Sequence, residues 1–202
     1  MASEEIICIT GGIGSGKSIV SRVLRQWGFR VYDCDSEAKR IMDTSVEILH
    51  LLKDHFGDRV IAEGKINRAE LGKIVFTDDG ARKWINELVH KEVIKDILIN
   101  ARKSTSIFFV ETAIPTTAAF STFCHRFWLV ECPDEIRIER VMARNGLTQE
   151  EVRNRINSQA KEFISLPAEK TIRIPNDGET PLLSKICSLT ARYFLYKDKM
   201  AQ

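Results

Sequence analysis

The sequence has little of anything that would mark it as secreted, metal-stapled or membrane-bound. Its five cysteines (Cys8, Cys34, Cys124, Cys132 and Cys187) are odd in number, and no two stand at C-x-x-C spacing. A disulfide framework or structural zinc site is therefore not expected, and small core residues in a reducing compartment are. His50, His55, His90 and His125 have no metal-ligand spacing either. No apolar run reaches the roughly 18 residues of a membrane span. Thirty basic side chains against 28 acidic ones leave a net charge of +2, so no global field draws the chain to nucleic acid or an anionic membrane. A strand-like run starts almost at once, so a leader peptide is not expected. There is no internal repeat and no low-complexity tract. What remains is a cytoplasmic protein with one sizeable core and room for an inserted subdomain.

Against this plain background one segment stands out. Gly11-Gly12-Ile13-Gly14-Ser15-Gly16-Lys17-Ser18 fits the phosphate-loop pattern G-x-x-x-x-G-K-[ST]. The run from Glu4 to Thr10 before it reads as a buried strand. Ile19, Val20, Val23, Leu24 and Trp27 after it are spaced as one helix face. Glycines there let the backbone curl so that N–H groups of Gly12 to Ile19 point at phosphate oxygens, with the helix N-terminus behind them. Lys17 would reach the β- and γ-phosphates and Ser18 would ligate Mg²⁺. A glycine-rich strand-to-helix turn that binds nothing is the competing reading, and the flanking elements weigh against it.

Strand-like and helix-like segments alternate along the chain, which indicates an α/β fold with a parallel sheet. Expected strands are 4–10, 29–35, 106–112, 125–131 and 171–174. A helix is expected over 36–56, a loop over 58–67, helices over 68–76 and 79–103, and a last helix over 179–196. Roughly seventy residues separate the second and third strands, far more than a crossover requires. That excess can form a helical insert over the carboxyl edge of the sheet, where open α/β sheets bind ligands.

Charged residues suggest the chemistry. Arg137, Arg140 and Arg144 share one face of a helix, Asn145-Gly146 breaks it, and Thr148 with Glu151 forms a capping box for the next helix, which adds Arg153 and Arg155. Two arginine-bearing helices on a glycine hinge suggest a lid that closes on phosphates; a solvated basic face is the alternative. Asp33 and Asp35 end the second strand, on the same side if the strand continues through both. If that strand neighbours the first, both lie near the γ-phosphate. Asp35 is the candidate general base and also a candidate helix N-cap. Asp33 could hold Mg²⁺ through water or contact the acceptor, and Glu111 is a further possible metal-side carboxylate.

These motifs together resemble the dephospho-CoA kinase family, over nearly the whole chain. Thr10-Gly11-Gly12-Ile13-Gly14-Ser15-Gly16-Lys17-Ser18 is similar to its T-G-G-I-G-S-G-K-S loop, and Asp33-Cys34-Asp35 to its D-x-D strand end. Arg68 to Leu71 with Phe76 resembles the R-x-x-L…F segment of the acceptor-binding subdomain. Arg140 to Thr148 with Gln159 resembles the lid signature R-x-x-x-R-[DN]-x-x-[TS]…Q.

The resemblance implies a P-loop kinase fold: a five-stranded parallel sheet, a helical acceptor-binding insert near 57–103 and a lid near 137–161. It implies transfer of the ATP γ-phosphate, with Mg²⁺, to the ribose 3′-hydroxyl of dephospho-CoA. Asp35 would be the base, Lys17, Arg140 and Arg144 would attend the transferring group, Thr10, Asp33 and Arg68 would contact acceptor, and Asn176 would lie near the nucleotide base. Ile19 stands where the family has threonine, and His90-Lys91 where it has His-Pro. Ala113-Ile114-Pro115-Thr116-Thr117 replaces P-L-L-F-E, so a terminal carboxylate is absent there. Another small-molecule or nucleotide kinase, or a regulatory module that only binds nucleotide, remains open at this point, as does the oligomeric state.

Overall fold

The computed structural model describes residues 5–104 and 107–200, leaving aside the side chains of 192 and 194–200. Glu4 and Ser106, assigned above to strand ends, lie outside the described residues. The chain begins with β1 (Glu5–Thr10), α1 (Lys17–Gln26), β2 (Arg30–Asp33), α2 (Cys34–Thr44) and α3 (Val46–Phe56). A small hairpin, β3 (Ile61–Ala62) and β4 (Lys65–Ile66), precedes α4 (Arg68–Thr77) and α5 (Asp79–Arg102). Then follow β5 (Ile107–Glu111), β6 (Arg126–Glu131), α6 (Asp134–Asn145), α7 (Gln149–Gln159), α8 (Lys161–Ile164), β7 (Thr171–Pro175) and α9 (Leu182–Met200). Contacts divide the chain into two compact units, one running to Asp33 and resuming at Asn100, the other spanning Cys34–Ile99.

The first unit holds a five-stranded parallel sheet in the order β2-β5-β1-β6-β7. β1 is central, and Ile7, Cys8 and Ile9 have no exposed surface, as expected of a parallel strand covered on both faces. α1 lays Val20, Ser21 and Leu24 inward. Val20 and Leu24 join Ile7, Ile9, Phe109, Trp128 and Ile174 in one core. Phe109 sits between Phe29 and Trp128, with ring centroids 5.5 and 5.1 Å away. Ile19, expected on this buried face, is instead 46% exposed, because the helix turns Ser21 toward the sheet in its place.

Several expectations need correction. β2 does not neighbour β1; β5 lies between them, because β5 is buried along its whole length and takes the interior position. β2 stops at Asp33 and α2 starts at once, so Asp35 lies in the first helical turn and strand alternation does not place it beside Asp33. An N-cap role for Asp35 fails for the same reason. Cys8, Cys34 and Cys124 are buried as expected of core cysteines, whereas Cys187 is exposed.

In the second unit the expected helix over 36–56 is broken at Ser45, whose hydroxyl accepts the Ile48 N–H at 3.2 Å. The expected loop over 58–67 contains the β3–β4 hairpin, turned at Glu63 and Gly64 with φ of 52° and 73°. Both residues adopt the left-handed conformation of a tight hairpin turn. The unit packs Ile48, Leu52, Val60 and Ile97, none with exposed surface. His55 stacks on Trp84 at 4.0 Å.

Ser45 carries the break between α2 and α3. Ser45→Ala should lower stability by about 1 kcal/mol and Ser45→Asp by far less, measured by urea denaturation.

Candidate active site

The phosphate loop leaves β1 at the carboxyl edge of the sheet and feeds α1. Its glycines are sterically required. Gly14 has φ +77°, and a Cβ there would sit 2.8 Å from the Arg137 carbonyl oxygen; Gly16 has φ +99°, and its Cβ would sit 2.1 Å from the Asn176 amide nitrogen. Left-handed backbone and absent room together exclude any side chain. Lys17 Nζ donates to the Gly12 carbonyl at 3.4 Å, and so crosses the loop.

Side chains from elsewhere in the unit hold this backbone. The Asn176 amide donates to the Ser15 carbonyl at 2.7 Å. Arg137 Nε donates to the Ile13 carbonyl at 2.9 Å, while the Ile13 N–H donates to Gln159 Oε1 at 2.8 Å. Ile13 is thus gripped through both of its polar atoms. Its side chain packs on the small core of the α6–α7 hairpin, made by Ile138, Val141, Val152 and Ile156.

The cradle has two hydroxyls to spare. Among the described residues Thr10 Oγ1 and Ser15 Oγ are buried without a hydrogen-bond partner, as are Ser21 Oγ and Trp128 Nε1 in the core; only the first two stand at the loop. Thr10 enters the loop and Ser15 lies within it, so the residues present suit a bound polyphosphate.

The Ser18 hydroxyl donates to Glu111 Oε1 at 3.0 Å. Glu111 ends β5 and is buried, in register with Ile9 on one side and Asp33 on the other. A hydroxyl and two carboxylates therefore line one edge, a hard-oxygen set suited to a hydrated Mg²⁺ that takes its other ligands from phosphate and water. Sequence reasoning noted Glu111 only as a possibility; a lone carboxylate ending a wholly apolar strand was its signal.

Arg137, Arg140 and Arg144 share a helix but have different surroundings. Arg137 is largely buried against the loop and pairs with Asp134 at 2.9 Å. Arg140 donates to Cys132 Sγ and to the Asn176 carbonyl, both at 3.3 Å. Burial raises the Cys132 thiol pKa, against the opposing pull of Arg140 and Arg137. Arg144 is exposed and donates to Asn145 Oδ1 at 2.8 Å. The helix break is as expected: Gly146 takes φ +66°, and the Thr148–Glu151 capping box is complete. Hydrogen bonds from Thr148 hold the Glu151 carboxyl below its ordinary pKa.

The remaining sequence candidates are placed as follows. Asp33 is half-buried at the end of β2, and Asp35 is exposed in the first turn of α2. Arg68 opens α4 and pairs with Asp43 at 2.6 Å. Ile19 keeps its N–H on the Gly16 carbonyl at 2.9 Å, so as a phosphate ligand it would have to share that donor. Asn176, expected near the nucleotide base, has its amide committed to the phosphate loop. The loop-holding roles of Arg137 and Gln159 were not foreseen, because their partners are 124 and 146 residues away.

Comparison with known proteins agrees with this geometry. A family profile described as dephospho-CoA kinase matches residues 5–181. A dephospho-CoA kinase of Carboxydothermus hydrogenoformans is 36% identical over 174 residues, covering 84% of this chain and 82% of its own. One from Shewanella oneidensis is 30% identical over 195 residues, covering 95% and 94%. A crystal structure of a Thermus thermophilus protein superposes with a TM-score of 0.70 at 29% identity, covering 96% of this chain and 97% of that one. A Campylobacter jejuni dephospho-CoA kinase structure gives 0.66 at 23% identity, covering 96% and 98%, and supports the fold.

The Asn176 amide can be tested as a fixture of the loop. Asn176→Asp replaces a donor with a carboxylate facing the Ser15 carbonyl. It should weaken nucleotide binding by at least about tenfold, since leaving a buried acceptor unpaired costs roughly 1–3 kcal/mol before the added repulsion. Titration with a fluorescent ATP analogue, beside a circular dichroism melt, measures it.

Proposed function

The chain belongs to the dephospho-CoA kinase family, and from that premise we propose how its residues divide the reaction. It is an ATP-dependent kinase whose acceptor is dephospho-CoA, phosphorylated on the ribose 3′-hydroxyl in the final step of coenzyme A formation. The observation that carries the reading is the Ser18–Glu111 pair at the edge of a steric anion cradle. A hydroxyl and a carboxylate beside such a loop are what a metal–triphosphate complex needs.

Phosphate-loop amides between Gly12 and Ser18 hold the triphosphate, apart from those of Ile13 and Ser15, which are given to Gln159 Oε1 and the Gly12 carbonyl, and Lys17 exchanges its Gly12 carbonyl for the β- and γ-phosphates. Ser18 would hold Mg²⁺, with the Glu111 carboxylate beside it. Bound there, the metal neutralises charge that builds on the phosphate oxygens during transfer. Asp35 accepts the proton of the attacking hydroxyl. Asp33, two residues earlier, orients the acceptor, with Thr10 beside the loop.

Arg144, exposed at the end of α6, closes over the transferring group, and Arg140 joins it by releasing the Asn176 carbonyl. The hairpin over 137–161 acts as the lid. Its base is tied to the loop through Arg137 and Gln159, so closure falls to the outer end that carries Arg144. Arg68 binds acceptor phosphate from the helical insert near 57–103.

The decisive assay incubates the protein with ATP, Mg²⁺ and dephospho-CoA and detects coenzyme A by mass. Absence of product, with robust phosphorylation of an unrelated nucleotide or sugar, overturns the acceptor while leaving the kinase. Within that assay Asp35→Asn should cut turnover by about 10²–10⁴-fold with near-normal ATP affinity, the usual contribution of a general base.

The arginines should separate by role. Arg68→Lys should raise the KM for dephospho-CoA and leave that for ATP little changed, because an ammonium cannot make the paired hydrogen bonds of a guanidinium. Arg140→Lys should lower kcat, since its contact strengthens as charge develops. Steady-state kinetics with each substrate varied in turn would distinguish the two patterns.

A further inference from the structure

Among the described residues two acidic side chains are buried, Glu111 and Glu162. Glu111 belongs to the site described above. Glu162 belongs to α8, one turn past Gln159, and no motif of the sequence includes it. Its Oε2 accepts the N–H groups of Thr116 and Thr117 at 2.9 and 3.0 Å. Its Oε1 accepts the Thr117 hydroxyl, and its own carbonyl accepts the Thr116 hydroxyl at 2.8 Å. The Ser165 hydroxyl donates to Thr116 Oγ1 at 3.3 Å. A buried carboxylate is tolerated only when its lone pairs are met. Here consecutive backbone amides meet them, which fixes a stretch of main chain rather than one side chain.

That stretch is the exit from β5. Thr112 follows Glu111 and donates its N–H to the Ile9 carbonyl at 3.1 Å. Its hydroxyl accepts the Ile114 N–H at 3.2 Å. The chain after Glu111 is thus pinned to β1 at Thr112 and to α8 at Thr116–Thr117. Ala113, Ile114 and Pro115 lie between the pins. They leave the carboxyl edge from β5, the strand between β1, which leads into the phosphate loop, and β2, which ends in Asp33. Three residues before Glu162, Gln159 holds the Ile13 N–H of the phosphate loop. One turn of chain therefore grips the loop on the donor side and the segment that borders the opposite side of Glu111.

We propose that Glu162 is a positioning residue for the acceptor. Its carboxylate latches segment 113–117 to the end of the α6–α7 hairpin and so sets the wall against which dephospho-CoA is seated. The assignment rests on the kinase reading, but the latch has its own readout.

The test compares Glu162→Ala with Glu162→Gln. Glutamine can still accept both amides through its oxygen and donate to the Thr117 hydroxyl; alanine can do neither. In Glu162→Ala the KM for dephospho-CoA should rise about five- to tenfold with that for ATP within about twofold, the scale seen for residues that act without touching ligand. Hydrogen exchange at the Thr116 and Thr117 amides should accelerate. Glu162→Gln should restore both. If alanine does not fold, Glu162→Asp, one methylene too short to reach, carries the same comparison.

Unchanged exchange at the two amides overturns the latch. Faster exchange with a wild-type KM for dephospho-CoA overturns the positioning role. So does a parallel loss in kcat and both KM values that follows the melting temperature. Failure of the wild-type protein to phosphorylate dephospho-CoA overturns the kinase reading and with it the acceptor role, while the exchange result stands by itself.

Discussion

The site depends on one constraint, that the phosphate loop must keep its shape before any phosphate arrives. A loop curled to turn N–H groups inward leaves carbonyls turned outward, and buried carbonyls need donors. Distant side chains supply them: Asn176 at Ser15 and Arg137 at Ile13, with Lys17 reaching across to Gly12. The glycines matter for the same reason. Their missing Cβ atoms leave the space that Arg137 and Asn176 occupy. Preorganised dipoles need not reorient as charge develops, and this is where such sites gain most of their electrostatic advantage.

The same contacts make the α6–α7 hairpin part of the loop's environment. Arg137, near the start of α6, and Gln159, at the end of α7, both hold Ile13, whose side chain enters the hairpin core. Arg144, on the same helix as Arg137, faces solvent. One helix thus has a fixed inner end and an outer end available to a ligand. The glycine bend and the capping box let the chain reverse between the two helices without burying unsatisfied backbone.

The grouping of oxygen donors follows from strand register. β5 sits between β1 and β2, so its last residue, Glu111, faces the end of each. Ser18 reaches it from the first turn of α1. Three elements therefore bring oxygen donors to one edge without any local sequence motif joining them.

Much of the fold was legible because it is written locally. The glycine-rich loop, the alternation of apolar strands with amphipathic helices and the Thr148–Glu151 capping box all depend on residues a few positions apart, and all appear where the spacing put them. The errors arose where local patterns were ambiguous. Apolar spacing runs through Ser45, yet the serine's preference for capping wins and splits the helix. The run from Phe29 to Asp35 reads as strand throughout, but the helix begins at Cys34 and takes Asp35 with it.

What the sequence by itself determined is the set of local conformations and the chemical inventory: an anion-binding loop, a cluster of arginines and carboxylates at strand ends. Only the tertiary structure decided which of these meet. Strand order put β5 rather than β2 beside β1. Contacts spanning more than a hundred residues gave Asn176, Arg137 and Gln159 to the loop. Glu162, an unremarkable residue in a four-residue helix, became one of the buried charges. The physical reason is that a hydrogen bond across such a separation leaves no periodicity in the chain, and its partners are chosen only when the sheet and its covering helices close around them.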